Sequence, residues 1–116
     1  MKLEQQVCSL QLAAWLKELG VKQNSYFAWC NGVIPRQHIY GSQREAAPSA
    51  FTVAELGEML PPITYSRRKH GYPNGNGKDE WAVSRYPKPR TLHAATEADA
   101  RAKMLIYLIE NKLLTV

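Results

Sequence analysis

The stretch Thr96-Glu97-Ala98-Asp99-Ala100-Arg101-Ala102-Lys103-Met104-Leu105-Ile106-Tyr107-Leu108-Ile109-Glu110-Asn111 decides how this chain is read. Thr96 and Asp99 have the spacing of a capping box, in which each side chain satisfies a free amide of a first helical turn. Ala98, Ala102, Leu105, Leu108 and Ile109 follow at helical spacing, which predicts a helix continuing to Leu113. Glu97 and Asp99 suit the positive end of its dipole, and Lys112 suits the negative end.

Upstream the period changes. Ile63 to His70 and Glu80 to Tyr86 read as strands, joined by Gly71-Tyr72-Pro73-Asn74-Gly75-Asn76-Gly77, a turn region rich in residues that tolerate positive φ. This predicted β-hairpin carries the net charge of the chain. From Arg67 to Arg90, seven basic residues (Arg67, Arg68, Lys69, Lys78, Arg85, Lys88, Arg90) face two acidic ones, Asp79 and Glu80, a surplus equal to the whole formal charge of +5. Like charges held on one element raise the local potential and attract an anionic partner.

Before the hairpin, Phe51 precedes Thr52-Val53-Ala54-Glu55, a second capping box, and Phe51 is spaced to pack on Leu56 as a hydrophobic staple. That helix must stop by Leu60, because Pro61-Pro62 cannot continue it. A further helix is predicted over Leu10 to Leu19, with Ser9 as N-cap, Leu12, Trp15, Leu16 and Leu19 on one face, and Gly20 as the stop. Tyr26 to Cys30 reads as an aromatic strand. Asn31-Gly32 then favours a tight turn into a short return strand at Val33-Ile34, and Arg36 to Ser49 reads as a long loop.

The expected fold is therefore α+β, a small antiparallel sheet of about three to four strands with about three helices packed on one face. A chain of 116 residues suits a single domain over 1–116, and its 45% hydrophobic and 22% charged residues are those of a folded protein. The start, Met1-Lys2-Leu3-Glu4-Gln5-Gln6, lacks the layout of a signal peptide, and no apolar run approaches a membrane span, so a cytoplasmic setting without membrane contact is expected. In that compartment Cys8 and Cys30 are expected as reduced thiols.

Catalytic signatures are not found. His38, His70 and His93 stand alone, without the spacing that builds zinc sites, and neighbouring Asp79 and Glu80 would point to opposite faces of a strand. Gly75 and Gly77 make a G-x-G without the flanking strand and helix of a phosphate loop. Cys30 has no local base or helix N-terminus, so a buried inert thiol is expected. A helix-turn-helix fails because Tyr26 to Cys30, aromatic and ended by Asn31-Gly32, cannot serve as recognition helix. No enzyme, cofactor or metal is expected.

What remains is the basic hairpin. Tyr65, Tyr72, Trp81 and Tyr86 lie among its cations, and aromatic rings stack on unpaired bases while Lys and Arg neutralise phosphates. Arg67, Arg68, Lys69, Lys78, Arg85, Lys88, Arg90, Tyr72 and Tyr86 are the candidate nucleic-acid contacts. Strand alternation places Trp81 with Val83, toward the core. The competing reading is a solvated hairpin whose charges protect an edge strand from aggregation. Another is a module for a protein partner or a homo-oligomer, anchored by aromatics such as Tyr40, Tyr72 or Tyr86.

The run from Thr96 to Asn111, Ala50-Phe51-Thr52-Val53-Ala54-Glu55-Leu56 up to Pro61, and the opening Gln6-Val7-Cys8-Ser9-Leu10 resemble small uncharacterised proteins from phages, prophages and other mobile elements of gut bacteria. The resemblance covers the helical parts and leaves out the Arg36 to Ser49 loop. It implies a bacterial cytoplasmic setting and an accessory role, and it transfers no functional residue. The expectation is a non-catalytic binding module of this type with the basic hairpin as contact surface and nucleic acid as candidate partner.

Overall fold

The computed structural model describes residues 2–30, 47–61, 64–69, 80–85 and 90–115. Its elements run in the order α1 (Leu3–Gln6), α2 (Leu10–Glu18), α3 (Val53–Met59), β1 (Thr64–Lys69), β2 (Glu80–Arg85), β3 (Arg90–Ala94) and α4 (Glu97–Glu110). The fold is α+β. The described strands form one antiparallel sheet in the order β1-β2-β3, with Ser66 opposite Val83 and Val83 opposite Leu92.

α4 is the hub of the molecule: it packs on all three strands, and α1, α2 and α3 rest on it. Among the described residues α4 makes the sheet contacts, and α2 and α3 pack on α4, so the helices gather on one face of the sheet. A helix covered on two sides must be apolar nearly all round. Ala98, Ala100, Ala102, Met104, Leu105, Ile106 and Leu108 are accordingly all buried, and the alanines let neighbouring backbones come close. Leu12, Leu16, Phe51, Leu56 and Val83 join them in one core cluster.

The local signals are realised in detail at two helix ends, the start of α3 and the stop of α2. Thr52 and Glu55 make both halves of a capping box, and Phe51 and Leu56 are both buried as a staple requires. At the end of α2, Gly20 has φ 92°, its N–H donates to the Lys17 carbonyl and the Val21 N–H donates to the Leu16 carbonyl. These are the two bonds of a Schellman motif. The same pair closes α4, from the Lys112 N–H to the Ile109 carbonyl and from the Leu113 N–H to the Leu108 carbonyl. Lys112 takes the left-handed position at φ 58°, so the helix stops at Glu110 and does not reach Leu113.

Four expectations change. Trp15 is 42% exposed, and α2 buries Leu12, Ala13 and Leu16 instead, because the core lies one position round the helix. Tyr26 to Cys30 forms an isolated bridge, not a strand: Ala28 pairs with Ser49, the Trp29 N–H donates to the Pro48 carbonyl and the Ala50 N–H to the Phe27 carbonyl. The end of the expected Arg36 to Ser49 loop is thus ordered pairing, with Ala47, Ser49 and Ala50 buried. Finally, Arg90–Ala94 is a third strand where none was assigned, so the basic stretch extends beyond a hairpin. The turn at Asn31-Gly32, the return strand at Val33-Ile34 and the Gly71 to Gly77 turn lie outside the described residues.

Candidate functional site

Antiparallel register distributes the candidate cations. Arg67 is the register partner of Ala82 and Lys69 of Glu80, while Ala82, Ser84, Thr91 and His93 share the sheet face away from α4. On the other face Val83 and Leu92 meet the core. The sheet therefore gathers Arg67, Arg68, Lys69, Arg85 and Arg90 onto three bonded strands. Arg68 is the register partner of Trp81, and Arg85 is the register partner of Arg90. Lys78, Lys88, Tyr72 and Tyr86 lie outside the described residues.

On the far face the centre of β2 is shut off from solvent, with Ala82 1% and Ser84 6% exposed. The Ser84 and Thr91 hydroxyls are hydrogen-bonded at 2.9 Å, and His93 Nδ1 lies 3.3 Å from Glu80 Oε1. Glu80 thus has a neighbour on β3, and Asp79 lies outside the described residues.

The helix-side face ends in a cleft of about 580 Å³ that the sequence does not announce. Leu3 from α1, Phe27, Val53 from α3, Trp81 from β2, and Thr96 and Glu97 at the start of α4 are among its walls. Trp81 is half-buried and packs against the core cluster while also lining this space. Its expected core role therefore holds for only part of the ring. The cleft comes from segments far apart in the chain, brought together by the stacking of α1 and α3 on α4. The alternation of Trp81 with Val83 was its one local signal.

Glu97 brings little free negative charge to the cleft. Arg101 Nη2 lies 2.8 Å from Glu97 Oε2, which also accepts the Ser66 hydroxyl at 2.6 Å. The guanidinium donates further to the Ser66 hydroxyl at 3.0 Å and to the Val53 carbonyl at 3.1 Å, joining α4 to β1 and α3. Gly57 makes room for it, since a Cβ there would collide with the Arg101 guanidinium.

A second, more open groove of about 780 Å³ runs past Tyr26, Glu55, Glu58 and Met59, and Tyr26 above it is 71% exposed. Cys8 is fully buried, and desolvation pushes its thiol up to about 12, so it is no nucleophile at neutral pH. Among the described residues no three His, Cys, Asp or Glu side chains converge on a metal position, and no helix is long and apolar enough to cross a membrane. No protein-family model, no curated protein and no solved structure matches the chain.

Proposed function

We propose that this protein is a non-catalytic binding module of phage or mobile-element type, working in the bacterial cytoplasm, whose basic strands engage nucleic acid. The observation that carries the reading is the pairing of Arg85 with Arg90 across β2 and β3. Like charges directly opposite on neighbouring strands destabilise a sheet, and neighbouring strands run only about 5 Å apart. Charges needed only for solubility can be spaced apart; a phosphate backbone rewards their concentration. Arg67, Arg68 and Lys69 on β1 extend the same potential across the sheet.

A second reading, a module for a protein partner, rests on Tyr26, which is 71% exposed beside Glu55 and Glu58. Fluorescence anisotropy of the full chain against labelled oligonucleotides, at low and physiological salt, separates the two. Binding that weakens steeply with salt and is abolished by combined Arg67→Glu, Arg68→Glu, Arg85→Glu and Lys88→Glu changes supports the nucleic-acid reading. No binding at low salt overturns it and leaves the charges as protection of the sheet.

A further inference from the structure

The cleft beside Trp81 is built like a ligand site. About 580 Å³ lies within the range of small-molecule pockets, which are apolar and aromatic with a few polar groups at the rim. Leu3, Phe27, Val53 and Trp81 supply the apolar walls, Phe27 and Trp81 being half-buried aromatics, and exposed Gln5 supplies an amide. Its Oε1 accepts the Lys2 backbone N–H at 3.2 Å, which leaves the amide NH2 to donate to an acceptor on the edge of a base.

Charge selects the occupant. Trp81 is the register partner of Arg68, with Lys69 the next residue along β1, so the aromatic wall stands beside the most basic strand segment of the chain. The carboxylate in the cleft, Glu97, is already matched by Arg101 at 2.8 Å. An aromatic recess next to cations suits a strand whose bases are free to leave the stack. In a duplex the bases are paired inside, and reaching this recess would require unstacking one.

Resting on the reading above, we propose that this cleft accepts an unpaired base of a single-stranded nucleic acid whose phosphates are held along β1. The base enters between α1 and the start of β2, and the neighbouring phosphates run toward β1, where Arg68 is the register partner of Trp81. Charge supplies the attraction common to all nucleic acids, and the cleft supplies the preference for single strands.

The test is an anisotropy titration of the full chain with three probes at one salt concentration: a labelled single strand, the same strand with its bases removed at successive abasic sites, and the corresponding duplex. The single strand should bind roughly tenfold or more tightly than either of the others. Trp81→Leu should erase that preference. Because Trp81 also packs on the core, Ala54→Phe is the second variant: Ala54 is exposed on α3 and lines the cleft, so a ring there fills it from the surface. Both variants should bind all three probes alike, with the salt dependence retained. Equal binding of the three probes by the unmodified chain, or an undiminished preference in Ala54→Phe, would overturn the base site and leave the electrostatic reading standing. If no probe binds at low salt, the nucleic-acid reading falls and the base site with it.

Discussion

The Asp99 carboxylate accepts the Ser9 backbone N–H at 2.7 Å, tying the first turn of α4 to the residue that opens α2, ninety positions earlier in the chain. Thr96 does its local part by accepting the Asp99 N–H at 3.1 Å. The return half of the expected capping box is replaced by this long-range bond. One carboxylate thus serves two helix starts, favouring the positive end of the α4 dipole and occupying a free amide at α2, whose own N-cap, Ser9, makes no side-chain cap.

Removal of that carboxylate is expected to weaken both helices. Asp99→Ala should cost about 1–2 kcal/mol, the usual range for a hydrogen bond to a charged group that leaves an amide unpaired. Asp99→Asn keeps an acceptor oxygen and should cost less. Urea unfolding followed by circular dichroism checks both, and equal losses for Ala and Asn would show that charge, not the bond to Ser9, is what matters.

Gly57 and Arg101 should show coupling with a change of sign. In an otherwise unchanged chain, Gly57→Ala drives the guanidinium from its contacts with Val53, Ser66 and Glu97, and a loss of about 1 kcal/mol is expected, modest because the arginine is partly exposed. With Arg101→Met already in place the obstacle is gone. The same Gly57→Ala should then stabilise by about 0.5–1 kcal/mol, the ordinary helix preference of alanine over glycine. A double-mutant cycle measures the difference, and additive effects would contradict the packing described.

The two Schellman ends should respond oppositely to exchanges involving glycine. Gly20, at φ 92°, should lose about 1 kcal/mol on change to alanine, and Lys112, at φ 58°, should gain about 1 kcal/mol on change to glycine. Thermal unfolding should show the first variant melting below the parent and the second above it.

Cys8 sets the alkaline limit. Its thiol is raised from 9.0 to about 12, chiefly by desolvation, so the folded protein holds a proton that the unfolded chain releases above about pH 9. By linkage its contribution to stability is fully present below about pH 9 and is lost progressively as the pH rises toward about 12. Cys8→Ala should flatten that part of the stability profile. Cys30 is half-buried and not buried as expected, so in thiol labelling of the native protein at pH 8 it should react, whereas Cys8 should wait for unfolding.

Helix starts and stops were legible because their signals are satisfied within a few residues. Thr52 meets Glu55 three positions away, and Gly20 stops α2 through bonds to its own last turn. β3 was missed, although Thr91 and His93 alternate with Leu92 and Ala94, because five residues after a proline-rich stretch make too short a period to stand out beside a capped helix. The candidate site was half legible. The charge surplus from Arg67 to Arg90 is a property of composition along the chain, whereas the cleft at Phe27 and Trp81 joins residues with no common local pattern.

The sequence by itself determined the starts of α2, α3 and α4, the stops of α2 and α3, the strand periods of β1 and β2 and the location of the net charge, since each depends on interactions between residues close along the chain. Tertiary structure alone decided that Asp99 caps α2, that Pro48 to Ala50 pairs with Phe27 to Trp29, and that Leu3, Phe27, Val53 and Trp81 line one cleft. Those outcomes follow from the burial of α4 on two sides. Covering it brings distant segments into register, and no pattern of period two or 3.6 within one segment specifies which distant partner it will meet.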